Sequence, residues 1–350
     1  MTATFPTRRQ AQEWLNEQLG AAQRGESVRR RTLTVDDYLA GWLEHREAVV
    51  GRRRTTMNRY RSLLAHHVSP TLGHVEVQQV TTADVDELYA AMIRAGLARA
   101  TVRQLHAVLG KALSDAEAKG VIVRNPVRHA SPPSMAGATD EMTVWTPAEL
   151  AQFFELAAEH RLASLWRLAA MTGMRRGEVC GLRWSAVDLT QGVVRVERTR
   201  TTAGGAEIVE SEPKSQRSRR VITLDRETTR VLSSHRRAER ELEMSLRGSA
   251  RRGGEVFTNP ATAEAMRPDS VSRAWERLVQ RLPLPTIRFH DLRHTHATHL
   301  LAAGVDPLVV SRRLGHANVA FTLNTYGHLL PGQDGQAAQV VGDLVDGTGA

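Results

Sequence analysis

The sequence predicts a mainly α-helical protein with a small antiparallel β-sheet, an α+β architecture divided into two main domains. Three observations lead there. From Thr34 to about Val127, apolar residues recur at spacings of three and four with glycines between the runs, the period of amphipathic helices. Residues 128–143, RHASPPSMAGATDEMT, then lose that periodicity and are rich in Pro, Ser, Gly and Ala, the composition of a linker. Beyond them helical patterns return, interrupted by β-branched runs suited to strands. A chain of 350 residues is long enough for two domains, each with its own core.

Taken in order, residues 7–24, TRRQAQEWLNEQLGAAQR, read as a helix ending near Gly25, followed by the basic run Arg29–Arg30–Arg31. Thr34 caps the next helix, because Thr-Val-Asp-Asp matches the S/T-x-x-D/E start signal and Tyr38, Leu39, Trp42 and Leu43 form an apolar stripe. Thr55–His67, Thr82–Ala95 and Ala100–Lys119 follow as helices, with Gly73, Gly96 and Gly120 between or after them. Together they make a compact four-helix unit with Arg52–Arg53–Arg54 at a helix entrance, a run that taken alone reads as a solvated surface. After the linker, Thr146-Pro147-Ala148-Glu149 opens a helix with Pro at its first position, and LASLWRLAAMTG forms another. GVVRVERTRT and RVITLD read as strands flanking a loop around Gly204–Gly205 and Pro213, and helices resume after Asp225.

Composition narrows the function. Hydrophobic residues make up 41% and charged residues 24%, as in ordinary globular proteins. No stretch approaches the roughly 18–20 uninterrupted apolar residues that a membrane helix requires. The first residues, MTATFPTRRQAQEWL, lack the apolar core of a secretory signal. A single cysteine, Cys180, excludes an intramolecular disulfide framework and a cysteine-based zinc site, so the expected compartment is the reducing cytoplasm. The net charge of +9 and a pI near 10.6 point to a polyanionic partner, nucleic acid rather than membrane in the absence of a basic amphipathic anchor. Lysine occurs only at Lys111, Lys119 and Lys214, so nearly all of the 47 basic residues are arginine. Tyrosine occurs only at Tyr38, Tyr60, Tyr89 and Tyr326, which leaves one in the second domain.

HDLRHTHATH, residues 290–299, places four histidines and an arginine in ten positions. On a helix of about 100° per residue closed by Gly304, His290, Arg293, His294, Ala297 and Leu301 share one face. His296 and His299 lie roughly opposite, beside Leu292. Four such histidines cannot converge on one metal ion. The His290–His294 pair has Arg293 on its face, whose permanent charge opposes a cation, and the glutamate of an HExxH helix is absent. His294, His296 and His299 are expected to be satisfied structural residues. His290 and Arg293 instead offer donors suited to the free oxygens of a phosphodiester.

HDLRHTHATHLLAAGVD together with LGHANVAFTLNTYGHL resembles the C-terminal signature of the tyrosine recombinases, the phage-integrase family. MTGMRRGEVCGLRW resembles that family's first arginine box, and the motifs keep the family's order across about 150 residues. The region from Thr34 to Val127 resembles, more loosely, the family's helical core-binding domain. FPTRRQAQEWLNEQL resembles the closing helix of an arm-type DNA-binding domain, without the strands that precede it in relatives. The resemblance implies a partial arm-type segment over residues 1–33, a core-binding domain over 34–130, a linker over 131–143, a catalytic domain over 144–335 and a tail over 336–350; the segment after Tyr326, rich in small residues and valine (GQAAQVVGDLVDG), is expected to dock on a neighbouring protomer. It implies the roles too: Arg175 as the first catalytic arginine and Glu178 as its acidic support; Lys214 as the hairpin lysine; His290 and Arg293 as the HxxR pair; His316 as the histidine of LGH; Tyr326 as the nucleophile.

Each role fits the residue's own chemistry. Cleaving a phosphodiester needs a nucleophile, neutralisation of growing negative charge and a proton for the departing oxygen. Arg175 and Arg293 would hold the two non-bridging oxygens, His290 and His316 would donate hydrogen bonds or exchange the tyrosine's proton, and Lys214 would protonate the 5′-oxygen, which arginine does badly. The implied product is a 3′-phosphotyrosyl bond that retains the energy of the cut strand, so no metal, ATP or other cofactor is needed. Cys180 reads as a small buried hydrophobe, Arg176 and Arg183 as surface or phosphate contacts, and the tryptophans as core. At position 296, relatives more often carry an aromatic such as Phe, which bears on local packing.

The implied function is a site-specific DNA recombinase of a phage or other mobile element. Its partners would be double-stranded DNA at specific sites, three further copies in a homo-tetramer, and a directionality factor or host DNA-bending protein. A Xer-type resolvase, a topoisomerase-like enzyme, a metal-dependent nuclease and a non-catalytic DNA-binding regulator are the alternatives.

Overall fold

The computed structural model describes residues 5–23, 33–51, 54–135, 143–203, 207–211, 219–245, 254–259, 262 and 264–327. Arg29–Arg31, Arg52, Arg53, Gly204, Gly205, Pro213, Lys214, part of the linker and the tail over 336–350 lie outside those residues. The chain divides into two compact units, 1–138 and 139–350. No described helix is long and apolar enough to cross a membrane.

In the first unit, α1 spans Arg8–Gln23. Helix α2, Val35–Ala48, begins where the Thr34 hydroxyl accepts from the Asp37 amide at 3.2 Å. Helix α3, Arg54–Leu63, runs into a π-helical turn over Leu64–Val68 and the short helix α4, Ser69–Leu72. The sequence pattern implies an ordinary helix through His67. Pro70 has no N–H for the His66 carbonyl and its ring would press on it in a regular helix, and a widened turn just upstream relieves that conflict. Helix α5, Thr82–Arg94, starts with a reciprocal Thr81–Asp84 capping box, and α6 spans Arg99–Ala118. The stripe predicted for α2 is buried against α6: Tyr38 donates to the Ala112 carbonyl at 2.7 Å and the Trp42 indole to Asp115 at 2.9 Å.

The second unit opens with α7, Pro147–Leu156, under a Thr146–Glu149 capping box, followed by α8, Ala163–Thr172, and the five-residue α9, Arg176–Cys180. Five short strands follow: β1 Val187–Asp188, β2 Val193–Val196, β3 Thr199–Thr202, β4 Ile208–Ser211 and β5 Arg220–Thr223. They form two antiparallel sheets, β1–β2–β5 with Val194 opposite Ile222, and β3–β4 with Thr199 opposite Ser211. The predicted strand GVVRVERTRT is therefore two strands, broken at Glu197–Arg198 and shared between two sheets. Strand β4 was expected to be loop; it is four residues with no fully buried position, too short for alternation to register. Helices α10, Arg226–Ser245, α11, Pro268–Val279, α12, Asp291–Ala302, α13, Pro307–Leu314, and α14, Val319–Tyr326, complete the unit. Gly304, with φ of 78°, follows the end of α12.

An aromatic block lies within the largely aliphatic core of this unit. Trp275 lies 5.7 Å from Trp145, 5.2 Å from Phe153, 5.3 Å from Trp166 and 5.8 Å from Phe289, centroid to centroid. Its indole N–H reaches the Ile287 carbonyl at 2.8 Å, so burial leaves no polar group unpaired. This block fixes α11 and the segment leading into α12. Trp275→Ala should lower the unfolding free energy of this unit by about 3–5 kcal/mol in denaturant titration, while the transition of the other unit stays put.

Candidate active site

Helix α8 ends at Gly173 in the left-handed region, φ 63°, and the chain turns directly into Arg175 at the N-cap of α9. One turn on, Glu178 is 3% exposed. Its carboxylate accepts from the Arg175 amide at 2.9 Å and from the Arg175 guanidinium at 2.8 Å. Arg220, the first residue of β5, grips the same carboxylate with two bonds of 3.1 and 2.9 Å and donates its Nε to the Arg313 carbonyl at 2.6 Å. Burial pushes the Glu178 carboxyl up, but the bonds and charge of Arg220, then those of Arg175, outweigh it and hold the pKa below the ordinary range.

Arg293 enters from α12. It is 3% exposed, and Nη1 donates to the Gly173 carbonyl at 2.7 Å. Among the described residues Nη2 has no hydrogen-bond partner although it is buried. Burial, then repulsion from Arg175, lowers the Arg293 pKa to about 9. A guanidinium placed beside another and left short of an acceptor is set up for an anion. Arg175 meanwhile donates Nη2 to the Gly315 carbonyl at 3.0 Å, in the left-handed turn that ends α13.

The next residue is His316, whose Nδ1 lies 2.7 Å from the Thr322 hydroxyl and whose ring packs 4.8 Å from Phe321. Burial first, then Arg293, Arg175 and Arg220, push its pKa down to about 3, so the ring is neutral. Tyr326 ends α14 and is 1% exposed. Burial raises its pKa to about 12, against the pull of Arg293. Its hydroxyl oxygen lies 2.5 Å from His294 Nδ1. His290 caps α12 with its ring perpendicular to that of His294 at 5.1 Å, and burial, then His294 and Arg293, hold it below its usual pKa.

Six of the seven residues singled out in the sequence, Arg175, Glu178, His290, Arg293, His316 and Tyr326, gather in one place through these bonds and mutual charges. Lys214 lies outside the described residues. His296 and His299 are structural: His296 receives the Arg313 Nε at 3.0 Å and bonds the Ala170 backbone, and His299 Nε2 meets the Trp145 carbonyl at 2.8 Å. Those two bonds settle the polar ring of His296. His294, expected to be equally structural, instead touches the tyrosine hydroxyl. Arg220 escaped notice within the run Arg217–Ser218–Arg219–Arg220. Strand alternation could have found it, since Ile222 is buried and Val221 is 61% exposed, which turns position 220 inward. Cys180, 1% exposed with its thiol pushed up to about 12 by burial, is an inert hydrophobe beside this cluster.

A protein-family model described as "Phage integrase family" matches residues 144–332. The chain belongs to the phage integrase family. It is thereby a site-specific DNA recombinase of the tyrosine class. Among its relatives, a "Tyrosine recombinase XerC-like" protein of Caldanaerobacter subterraneus subsp. tengcongensis is 26% identical, over 97% of this chain and 90% of its own length. The integrase of Mycobacterium phage L5 is 28% identical over 84% of this chain and 75% of the phage protein. In fold, the chain resembles the Tn1549 transposon integrase, solved in complex with a circular intermediate DNA, with a TM-score of 0.71 at 23% identity, covering 84% of this chain and 95% of that one.

Arg220→Ala strips the buried Glu178 of its bidentate partner and should destabilise the unit by about 3–5 kcal/mol. Because the folded pKa of Glu178 lies below its unfolded value of 4.5, its contribution is complete above pH 4.5 and is lost as pH falls through the folded value. Without Arg220 that folded value rises, so acid unfolding monitored by circular dichroism should begin at higher pH in the variant.

Proposed function

We propose that this recombinase cuts and rejoins DNA through a phosphotyrosyl bond made by Tyr326. Arg175 and Arg293 hold the two non-bridging oxygens of the scissile phosphate, His290 and His316 add hydrogen bonds to them, and Glu178 fixes Arg175. The Tyr326 oxygen bonds to phosphorus as the bond to the 5′-oxygen breaks, and Lys214 gives that oxygen its proton. The covalent link is conserved in energy, so the freed 5′-hydroxyl of a partner strand reverses the reaction without ATP. Positive charge comes from the guanidiniums, and the chemistry requires no metal or other cofactor.

One observation carries this reading: the buried Nη2 of Arg293, unpartnered among the described residues, beside a second guanidinium and near enough to Tyr326 for its charge to oppose the burial that raises the tyrosine's pKa. That arrangement is costly in the free protein and is relieved by a phosphodiester between the two arginines.

On the domain scale, residues 34–130 form the core-binding domain, 144–335 the catalytic domain and 131–143 the linker. The working form is a homo-tetramer on double-stranded DNA in the cytoplasm, helped by a directionality factor or a host DNA-bending protein. Its substrates are attachment sites of a phage or other mobile element, a reading supported by the named phage and transposon relatives. The XerC-like relative, matched along almost the whole chain, favours a second reading as a resolvase. Recombination assays on mobile-element attachment sites and on a chromosomal dimer site separate the two.

On a nicked suicide duplex, the parent should become covalently attached to DNA, and EDTA should not prevent it. Tyr326→Phe should yield no adduct while binding the duplex with parental affinity. Arg293→Ala should slow cleavage by about 100-fold or more. An adduct formed by the phenylalanine variant at the parental rate would falsify the assignment.

A further inference from the structure

A tyrosine hydroxyl held near pKa 12 is a poor nucleophile at neutral pH unless a neighbour takes its proton during attack. The neighbours offer unequal means. His316 has Nδ1 committed to the Thr322 hydroxyl. His290 makes no hydrogen bond to Tyr326 among the described residues. The hydroxyl's one hydrogen-bond partner among the described residues is His294 Nδ1, at 2.5 Å.

We propose that His294 is the catalytic residue that accepts the proton of Tyr326 as its oxygen attacks the scissile phosphorus. This rests on the reading of Tyr326 as nucleophile. Tyr326 keeps its proton in the free protein, so its hydroxyl donates and Nδ1 accepts, which puts the ring proton of His294 on Nε2. During attack the Tyr326 oxygen gains a bond to phosphorus, the proton passes to Nδ1, and the bond to the 5′-oxygen breaks with that oxygen protonated by Lys214. In rejoining, the His294 imidazolium returns its proton to the departing phenolic oxygen. The base is therefore preset on the helix that carries Arg293, one residue along from it.

The charge around His294 suits the task. It is faced by Tyr326 from α14 and by His316 after α13; on its own helix and just before it lie His290, Asp291, Arg293 and Arg288. Burial, then Arg293 and Arg288 against Asp291, keeps its pKa below 6.5, so it is unprotonated and ready at neutral pH. Asp291, itself bonded by Arg288 at 3.0 and 2.9 Å, lies one turn away to steady the imidazolium when it forms.

Single-turnover cleavage of two nicked suicide duplexes tests this, one with the natural 5′-oxygen and one with a 5′-bridging sulfur that leaves without protonation. His294→Asn and His294→Gln keep a polar group in place but cannot take a proton. Both should bind the duplex as the parent does and cleave the oxygen substrate about 100-fold or more slowly at neutral pH. Their rates should climb about tenfold per pH unit, as phenolate must form unaided, where the parent is flat. The sulfur substrate should rescue Lys214→Ala but neither His294 variant. Parental rates in either variant, a parental pH profile, or rescue by sulfur would overturn the proposal while leaving Tyr326 as nucleophile. An adduct formed by Tyr326→Phe would remove the reading beneath it.

Discussion

The geometry of this site depends on the buried carboxylate of Glu178. Three guanidiniums, from Arg175, Arg220 and Arg293, crowd within mutual influence: burial first, then repulsion from Arg175 and Arg220, lowers the pKa of Arg293. Glu178 offsets part of that repulsion and spends both oxygens on Arg175 and Arg220. The cluster retains two net positive charges, enough for a phosphodiester and for the extra charge it gains in the transition state. A carboxylate in such surroundings contributes little net stability as a pair and costs much when broken. Its value is that it fixes where the two arginines point.

Glycine makes the second contribution. Gly173 and Gly315 each close a helix in the left-handed region, with φ of 63° and 69°, and each presents its carbonyl to a guanidinium, Gly173 to Arg293 and Gly315 to Arg175. A Cβ at Gly173 would lie 2.5 Å from a Leu314 methyl, and one at Gly315 would lie 2.9 Å from Arg220 Nη1. Helices α8, α12 and α13 can approach closely enough to assemble the site because both turns lack side chains. The charge network and the helix packing are thus one constraint seen from two sides.

Much of this was legible in sequence. Helical period placed His290, Arg293 and His294 on one face before any partner was known, and the shortage of lysine and tyrosine drew the eye to Lys214 and Tyr326. Capping signals at Thr34 and Thr146 located helix starts. What escaped has a common cause, because it depends on contacts between distant segments. His294 acquires its character from Tyr326, 32 residues further on, and helix geometry alone cannot tell a core histidine from one that meets a hydroxyl. Arg220 looked like surface charge because its partner, Glu178, lies 42 residues earlier. Strand β4 and the π-turn at Leu64–Val68 are set by pairing with β3 and by Pro70, local departures too small for periodicity to register.

Cys180 is the sole thiol in 350 residues, and it is sealed in the core with its ionisation suppressed. Maleimide reagents, which attack thiolates, will therefore find almost nothing to modify in the folded parent. A surface cysteine introduced for a fluorophore or spin label would be derivatised against a silent background, with no need to delete the native one. Conformational steps along a recombination pathway thus become accessible to single-site labelling without disturbing the packing beneath Arg175.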